Sequence, residues 1–196
     1  MKVLVACEFS GIVREAFAKR GHDAWSCDLL PTEIPGQHIQ DDVLKHLNDG
    51  WDLMIAHPPC THLAVSGARH FAKKIADGRQ QQGIDLFMAF VTTNIPKWCI
   101  ENPVGIMSSI YRKPNQIIQP WQFGEPFQKT TCLWTNNLTN LVPTKIVDKG
   151  DFTIFKSGKK HPKWYADALH LPPKERMKAR SKTFQGIADA MATQWS

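Results

Sequence analysis

Two short apolar stretches end at side chains that can take part in covalent chemistry. The stretch 53–56 runs into His-Pro-Pro-Cys at 57–60, and the stretch 98–100 runs into Glu101-Asn102-Pro103. Prolines cannot continue a hydrogen-bonded ladder and they stiffen the backbone, so we expect the Cys60 thiol to lie at a strand end that faces a cleft. The second stretch leaves a carboxyl and an amide at its edge. A thiol nucleophile near a carboxylic acid is what addition chemistry on a base ring requires.

Apolar stretches of strand length alternate with stretches of helical periodicity. We predict helices at 12–21, 43–47, 79–94 and 184–195, and strands at 3–7, 23–28, 51–56, 98–101 and 131–135. Strands that alternate with helices predict parallel βαβ units, and hence an α/β fold with a doubly wound, mostly parallel sheet. We expect 29–40 to be a loop interrupted by proline and glycine, and 57–78 to be a long mobile loop.

Acidic and nucleophilic side chains fall at the predicted carboxyl ends of the strands, where ligands bind in doubly wound sheets. Five positions share that edge: Glu8, Asp28, Asp42, Cys60 and Glu101. The turn Phe9-Ser10-Gly11 offers backbone amides and a helix N-terminus to a polar ligand, although a plain tight turn explains it equally simply. Asp28 is placed to bind a ribose or to cap a helix, and Asp42 can cap the next helix.

Length, composition and cysteine usage predict one cytoplasmic domain. The chain has 196 residues, 42% hydrophobic and 21% charged, which suits a single domain (1–196) with a sizeable core. No apolar run is long enough to cross a bilayer, and the acid at Glu8 comes too early for a signal peptide. Four of the five cysteines lie in strand-like stretches and are predicted to be buried thiols in a reducing compartment: Cys7, Cys27, Cys99 and Cys132.

Basic residues are concentrated in the last third of the chain. The net charge is +6 and the pI is near 9.1, which allows a polyanionic partner. The stretch 136–182 has weak periodicity, and we expect it to be a small inserted segment. Lys159 and Lys160 lie there close to Trp164 and Tyr165, and basic residues interleaved with aromatic ones favour nucleic-acid binding. A solvated charged surface is the alternative interpretation.

A metal site at the cysteine is a competing hypothesis. His57, Cys60 and His62 lie close together, but no second Cys or His pair follows at the spacing that zinc requires. Leu63 occupies the position where a zinc deaminase has its second cysteine. We therefore predict no metal. The Gly-x-Gly-x-x-Gly, Walker and Gly-x-Ser-x-Gly motifs are also missing from the sequence.

The motifs resemble those of the cytosine-5 DNA methyltransferases. His-Pro-Pro-Cys at 57–60, followed by Val-Ser-Gly at 65–67, is similar to the catalytic Pro-Cys loop of that family, and Glu101-Asn102-Pro103 to its Glu-Asn-Val element. The turn 9–11 resembles its Phe-x-Gly turn, Gln-Lys-Thr at 128–130 resembles a later Gln-x-Arg element, and 184–188 resembles the start of its last helix. The order and spacing agree over nearly the whole chain.

The resemblance implies a class I, Rossmann-like methyltransferase fold that binds S-adenosylmethionine. The corresponding cofactor contacts are Phe9, Ser10, Gly11, Ile12, Asp28, Leu29, Asp42, Val43 and His57. Together with the basic segment, the resemblance implies DNA as the partner. The candidate DNA contacts are Pro59, Ser66, Arg69, His70, Asn102, Lys129, Lys159 and Lys160. No membrane partner is implied, and we expect a monomer.

The sequence departs from the family pattern at three positions. Thr61 replaces the usual Gln, Thr130 replaces an Arg that helps to hold the cytosine O2, and Gly186 replaces an Asn near the cofactor. Lys129 would then have to serve in place of the missing Arg. The segment before the last helix is also short, whereas family members with firm sequence specificity carry a larger recognition region there. The chain resembles a reduced member of the kind found in bacteriophage genomes, where such enzymes serve restriction-modification or regulation.

The resemblance also implies a covalent mechanism. The Cys60 thiolate would add to carbon-6 of cytosine and make carbon-5 nucleophilic towards the methyl group of S-adenosylmethionine. Because a free thiol has a pKa of about 8.5, the site should supply positive potential, from backbone amides or from Arg69, His70 or Lys129. Glu101 would hold the ring N3 and the exocyclic amine. The target base would leave the duplex stack, and 62–78 would close over it.

Two alternatives stay open. In the first, the chain is a catalytically weak or inactive methyltransferase fold that binds DNA or cofactor, as the missing Arg and the short segment would favour. In the second, the same chemistry acts on single-stranded nucleic acid or on a nucleotide. The presence of both Cys60 and Glu101 argues for an active enzyme.

Overall fold

The molecule is organised around a seven-stranded sheet, in a computed structural model that describes residues 1–196. The strands are β1 (Lys2–Ala6), β2 (Asp23–Cys27), β3 (His38–Ile39), β4 (Leu53–Ala56), β5 (Lys97–Asn102), β6 (Gln116–Ile118) and β7 (Thr131–Asn136). Their order across the sheet is β3-β2-β1-β4-β5-β7-β6. Neighbouring strands are parallel, except that β7 runs antiparallel to both β5 and β6. The predicted α/β fold with a mostly parallel sheet is confirmed.

Helices cover both faces of the sheet and bury its side chains. They are α1 (Ile12–Ala18), α2 (Phe71–Ala76), α3 (Arg79–Val91), α4 (Met107–Ile110), α5 (Lys163–Ala168), α6 (Pro173–Ser181) and α7 (Gln185–Gln194). On one face, Phe17 of α1 and Met191 of α7 belong to the same buried cluster as Val3 and Val5. On the other face, α3 contributes to the cluster of Leu4 and Ala6. Burial on both faces explains why the central strands are apolar at every position.

The register of the central strands brings three connections to one edge of the sheet. Ala6 of β1 is paired with Ala56 of β4, and Ala56 is paired with Ile100 of β5. The turn after β1, the loop after β4 and Glu101 therefore lie side by side. The strand order reverses between β1 and β4, and such a switch point is where doubly wound sheets bind ligands.

The stretch 57–78 is mostly helical, so the prediction of a long loop is wrong. It contains the 3-10 helices Cys60–His62 and Val65–His70 and then α2. Leu63 is fully buried and anchors the stretch to the core. The buried Lys74 donates from its ammonium to the carbonyl of Thr61 at 2.5 Å. Turns this short lack the repeated periodicity by which a helix is identified in a sequence.

The stretch 136–182 also has defined structure. It contains the antiparallel hairpin of β8 (Phe152–Ile154) and β9 (Lys160–Pro162), followed by α5 and α6. The short strands β3 and β6 were not predicted, and the predicted helix 43–47 is a 3-10 turn, Val43–Lys45. The other predicted elements exist with ends that differ by a few residues. None of the helices has the length and apolar character needed to span a membrane.

Candidate active site

Cys60 and Glu101 belong to two neighbouring strand ends at the same edge of the sheet. Cys60 begins the 3-10 helix that follows β4, and its carbonyl accepts the amides of Leu63 and Ala64 at 3.0 and 2.9 Å. Glu101 is the next-to-last residue of β5. Burial raises the pKa of the Cys60 thiol, and the charge of the Glu101 carboxylate raises it further. The effect of the Glu101 charge on the thiol agrees with the adjacent positions of the two strand ends.

The Glu101 carboxylate is held by His57. His57 Nδ1 lies 3.1 Å from Glu101 Oε2, and the two side chains are only 8% and 11% exposed. Burial alone would raise the pKa of Glu101, but the hydrogen bond from His57 and the charges of Lys129 and His57 together lower it. Glu101 is therefore a carboxylate at neutral pH. The other ring nitrogen, His57 Nε2, is buried and has no hydrogen-bond partner within the chain.

Asn102 forms a buried hydrogen bond with the loop that carries Cys60. It is 3% exposed, and its Nδ2 donates to the carbonyl of Pro58 at 2.8 Å. The contact of Asn102 with the substrate stays a prediction, and the bond of its Nδ2 gives the residue a structural role in addition. The bond joins the end of β5 to the loop after β4. Asn102 thereby helps to fix the distance between Glu101 and Cys60.

Two positively charged side chains act on the Cys60 thiol. The charges of Lys129 and Arg180 both lower the pKa of Cys60, without reversing the effect of burial and Glu101. The Lys129 ammonium donates to the carbonyl of Lys182 at 3.2 Å. Thr130, where the family pattern has Arg, is exposed and accepts a hydrogen bond from Gln119 at 2.9 Å. Of the cations predicted to face the thiol, Lys129 does so, whereas Arg69 and His70 are exposed and bonded to each other at 2.9 Å.

The turn between β1 and α1 is held by Glu8. The Glu8 carboxylate is 4% exposed and accepts the amides of Val13 and Arg14 at 2.7 and 3.2 Å, together with the Ser10 hydroxyl at 3.1 Å. The helix N-terminus that was predicted to be available to a polar ligand is therefore occupied by the protein's own carboxylate. Gly11 adopts a φ of +75°, which glycine tolerates best.

A cleft lies between this turn and the segment that follows α6. It has a volume of about 40 Å³ and is lined by Cys7, Glu8, Phe9, Ser10, His57, Ser181, Lys182 and Thr183. Ligand sites usually have about 300–1,000 Å³, so the walls of the cleft would have to separate to admit a nucleoside-sized molecule. The edge of the sheet forms one wall of the cleft, and the C-terminal part of the basic segment forms the other.

Only some of the predicted cofactor residues line the cleft. Phe9 and Ser10 line it, and the charges of Asp28 and Asp42 reach Cys7 and raise its pKa, after the larger effect of burial. Asp42 caps the 3-10 turn by accepting the amide of Leu44 at 3.0 Å, as predicted. Leu29 is 72% exposed beside Asp28. The remaining predicted residues are Gly11 and Val43, which are buried, and Ile12, which is half-buried.

The predicted phosphate contacts fall into two exposed groups. Ser66, Arg69 and His70 lie on the 3-10 helix Val65–His70, and Pro59 is exposed beside Cys60. Lys159 and Lys160 lie at the turn and start of β9, where the Lys160 ammonium is 4.1 Å from the ring centroid of Phe152. The first group adjoins the loop of Cys60. The second belongs to the hairpin that precedes α5 and α6.

Several residues around the site were not found from the sequence. Arg14 is fully buried and donates to Ser26, Thr32 and the carbonyl of Ile34 at 2.6–3.1 Å, which holds the loop 29–37 in place. Glu33, in that loop, contacts the ammonium groups of Lys182 and Lys178 at 2.6 and 3.4 Å. These contacts tie α6 to the turn after β1. The sequence around Arg14 and around Glu33 does not indicate that these side chains form such contacts.

Gly186 departs from the family pattern for a structural reason. A side chain at this position would overlap the carbonyl of Phe123, and the amide of Gly186 donates to Glu125 at 3.2 Å. The start of α7 therefore packs directly against the backbone after the 3-10 turn Pro120–Gln122. A larger cleft of about 350 Å³ lies among 126–128, 148–151 and 162–167. It includes none of the residues around Cys60.

The sheet order with its single antiparallel strand defines a Rossmann-like α/β fold of the kind found in methyltransferases. Among solved structures, the chain is similar to a prophage-encoded E. coli protein whose crystal structure is described as that of a DNA modification methyltransferase. The TM-score is 0.51 at 18% identity over 87% of this chain and 55% of the other. The chain thus spans little more than half the length of that protein. No protein-family model and no curated protein matches it.

Proposed function

We propose that the protein methylates carbon-5 of cytosine in DNA through a covalent adduct with Cys60. The observation that carries this proposal is that the loop of Cys60 and Glu101 follow neighbouring parallel strands, and that the hydrogen bonds of His57 with Glu101 and of Asn102 with Pro58 join the loop to the end of β5. The description of the similar prophage protein as a DNA modification methyltransferase supports DNA as the substrate. The basic charge of the chain, +6, supports the same choice.

The residue types around the smaller cleft suit S-adenosylmethionine, and the cleft would widen to admit it. Phe9 and Ser10 would contact it, Asp28 and Asp42 would bind its ribose and adenine, and exposed Leu29 would pack against the adenine. The buried, unpartnered Nε2 of His57 would accept a hydrogen bond from its ammonium group. When bound, S-adenosylmethionine supplies an electrophilic methyl group for carbon-5.

Cys60 and Glu101 would carry out the other steps of the reaction. The Cys60 thiolate adds to carbon-6, the carbon–sulfur bond forms, and the ring electrons move towards carbon-5 and N3. Glu101, held as a carboxylate by His57, accepts a hydrogen bond from the exocyclic amine and orients the ring. Removal of the carbon-5 proton and expulsion of the thiolate complete the cycle. The target base reaches Cys60 only outside the duplex stack.

A transfer assay with labelled cofactor tests the proposal. Tritiated S-adenosylmethionine and DNA should give labelled DNA with the wild type and none with Cys60→Ala. Cys132→Ala is the matched control, because Cys132 is a buried thiol of β7. DNA that contains 5-fluorocytosine should form an adduct stable to SDS with the wild type and with Cys132→Ala only. Methyl transfer that survives in Cys60→Ala would contradict the assignment of the nucleophile.

A second candidate function is binding without turnover. The raised pKa of Cys60 favours it, because the thiol rather than the thiolate then predominates near neutral pH. In that case the wild type binds S-adenosylmethionine or DNA but labels no double-stranded or single-stranded DNA and no RNA at any pH up to 9. Label on single-stranded nucleic acid alone would keep the chemistry and change the substrate.

A further inference from the structure

His57 belongs to two parts of the site at once. Its Nδ1 lies 3.1 Å from Oε2 of Glu101, and the residue also lines the small cleft beside the turn after β1. The side chain is only 8% exposed, and its Nε2 is buried without a hydrogen-bond partner within the chain. A buried polar atom without a partner is unfavourable, so Nε2 is available to a ligand that enters the cleft.

The hydrogen bond to Glu101 determines what Nε2 can offer to a ligand. A carboxylate only accepts hydrogen bonds, so the proton of the neutral imidazole must lie on Nδ1. Nε2 then carries a lone pair and is an acceptor. The ligand group that suits this atom is therefore a hydrogen-bond donor.

Two donors that line the cleft together with His57 are bound to other groups. The Ser10 hydroxyl donates to the Glu8 carboxylate at 3.1 Å. The Lys182 ammonium is paired with Glu33 at 2.6 Å. Because carboxylates are present both beside His57 and in the cleft wall, a positively charged donor is favoured over a neutral one.

We propose that His57 couples the cofactor cleft to Glu101: Nε2 accepts a hydrogen bond from the ammonium group of S-adenosylmethionine, and this contact keeps the imidazole in the tautomer that donates from Nδ1 to the carboxylate. This role rests on the cofactor assignment in the proposed function. Both contacts favour the same tautomer, so each strengthens the other, and the coupling is reciprocal. His57 is therefore a positioning residue, and Glu101 is held most firmly when the cleft is occupied.

Binding of S-adenosylhomocysteine, which has the same ammonium group, tests the coupling by isothermal titration calorimetry. His57→Gln should raise the Kd roughly 10-fold, because the acceptor is lost. Glu101→Gln should raise it about 5-fold although Glu101 does not line the cleft, because an amide both donates and accepts and so no longer fixes the tautomer. In the double variant, Glu101→Gln should add nothing to the effect of His57→Gln.

A ligand control and a variant control isolate the ammonium contact. 5′-Methylthioadenosine has no amino-acid part, so its Kd should be the same in all four proteins, which also shows that each variant is folded. His62→Gln changes a histidine of the same loop that does not line the cleft, and should bind S-adenosylhomocysteine like the wild type. An effect of Glu101→Gln that persists in the His57→Gln background would overturn the proposal, because Glu101 would then act on the ligand directly.

Nitrogen-15 NMR of histidine-labelled protein at about pH 8, where histidines are ordinarily neutral, observes the tautomer itself. His57→Gln assigns His57 among the eight histidines. The Nε2 resonance should be that of an unprotonated nitrogen and should move with S-adenosylhomocysteine but not with 5′-methylthioadenosine. A proton on Nε2 in the complex would overturn the proposal. Coupled binding without methyl transfer to any nucleic acid would overturn the proposed function alone, whereas methyl transfer with additive effects of the two substitutions would overturn only the role of His57.

Discussion

The buried carboxylate of Glu101 is stabilised by a histidine and by a lysine. It accepts a hydrogen bond from His57, and the positive charge of Lys129 also acts on it. Both contacts oppose the effect of burial on its pKa. A carboxylate in such a place can orient a base but is a weak proton donor. The protonation state of Glu101 is therefore set by His57, a neighbour of the cysteine loop.

Replacing His57 should raise the pKa of Glu101. In His57→Gln the imidazole is lost, and burial, which is the largest single influence and raises the pKa, is opposed by Lys129 alone. Glu101 should then bind its proton at a higher pH than in the wild type. Carbon-13 NMR titration of glutamate carboxyls, with Glu101→Gln for assignment, measures the shift. His62→Gln changes a histidine of the same loop that does not contact Glu101, and should not move it. An equal pKa in wild type and His57→Gln would show that the bond at 3.1 Å has no electrostatic effect.

At the scale of the elements, the basic helix α6 lies across the mouth of the cleft. Glu33 in the loop before β3 binds Lys182 and Lys178, and the Lys178 ammonium lies 5.4 Å from the ring centroid of Phe9. Hydrogen bonding to Lys182 is the main reason that the pKa of Glu33 is lowered. Because a cleft of about 40 Å³ is too small for a nucleoside, entry and release of a ligand would require these contacts to loosen.

Removal of the Glu33 carboxylate should loosen α6. Each of the two ion pairs is worth about 0.2–1 kcal/mol, so amide protection factors in 173–182 should fall roughly 2- to 30-fold in Glu33→Gln. Because the pKa is lowered on folding, this stabilisation is present above the ordinary value of 4.5 and is lost as the pH falls through the lower folded value. Wild-type protection should therefore approach that of the variant in acid. Asp85→Asn, which removes an exposed charge from α3, is the control. Unchanged protection at neutral pH would show that α6 is held by packing alone.

Sequence patterns predicted the elements that carry Cys60 and Glu101 better than the elements that surround them. Continuous apolar runs and two prolines identify β4 and β5, because strands buried on both faces have no polar positions. The contact of Glu33 with Lys178 joins residues 145 apart in the chain, and no local pattern records such a pair. Arg180 lies among lysines and arginines that look alike in a sequence. Asn102 has the same side chain whether it binds substrate or braces a loop.

At the scale of the whole molecule, the proposed DNA contacts outside the main sheet belong to one small unit. It consists of the hairpin, α5 and α6. A unit of this size can supply phosphate contacts. We therefore expect non-specific, charge-driven affinity to form a large part of any DNA binding.

The hairpin lysines should contribute directly to the salt dependence of DNA binding. Lys159 and Lys160 are exposed on the same unit as Arg180, so their ammonium groups should displace counterions from two phosphates. In Lys159→Ala/Lys160→Ala the slope of log Kd against log salt concentration should decrease by about 1.8, measured by fluorescence anisotropy. Lys19→Ala/Lys113→Ala removes the same net charge from exposed lysines near the opposite edge of the sheet, where α1 ends and β6 begins. The control should keep the wild-type slope, because only charges that contact phosphates release counterions. Equal slopes in both variants would mean that the hairpin is a solvated surface and that DNA binds elsewhere.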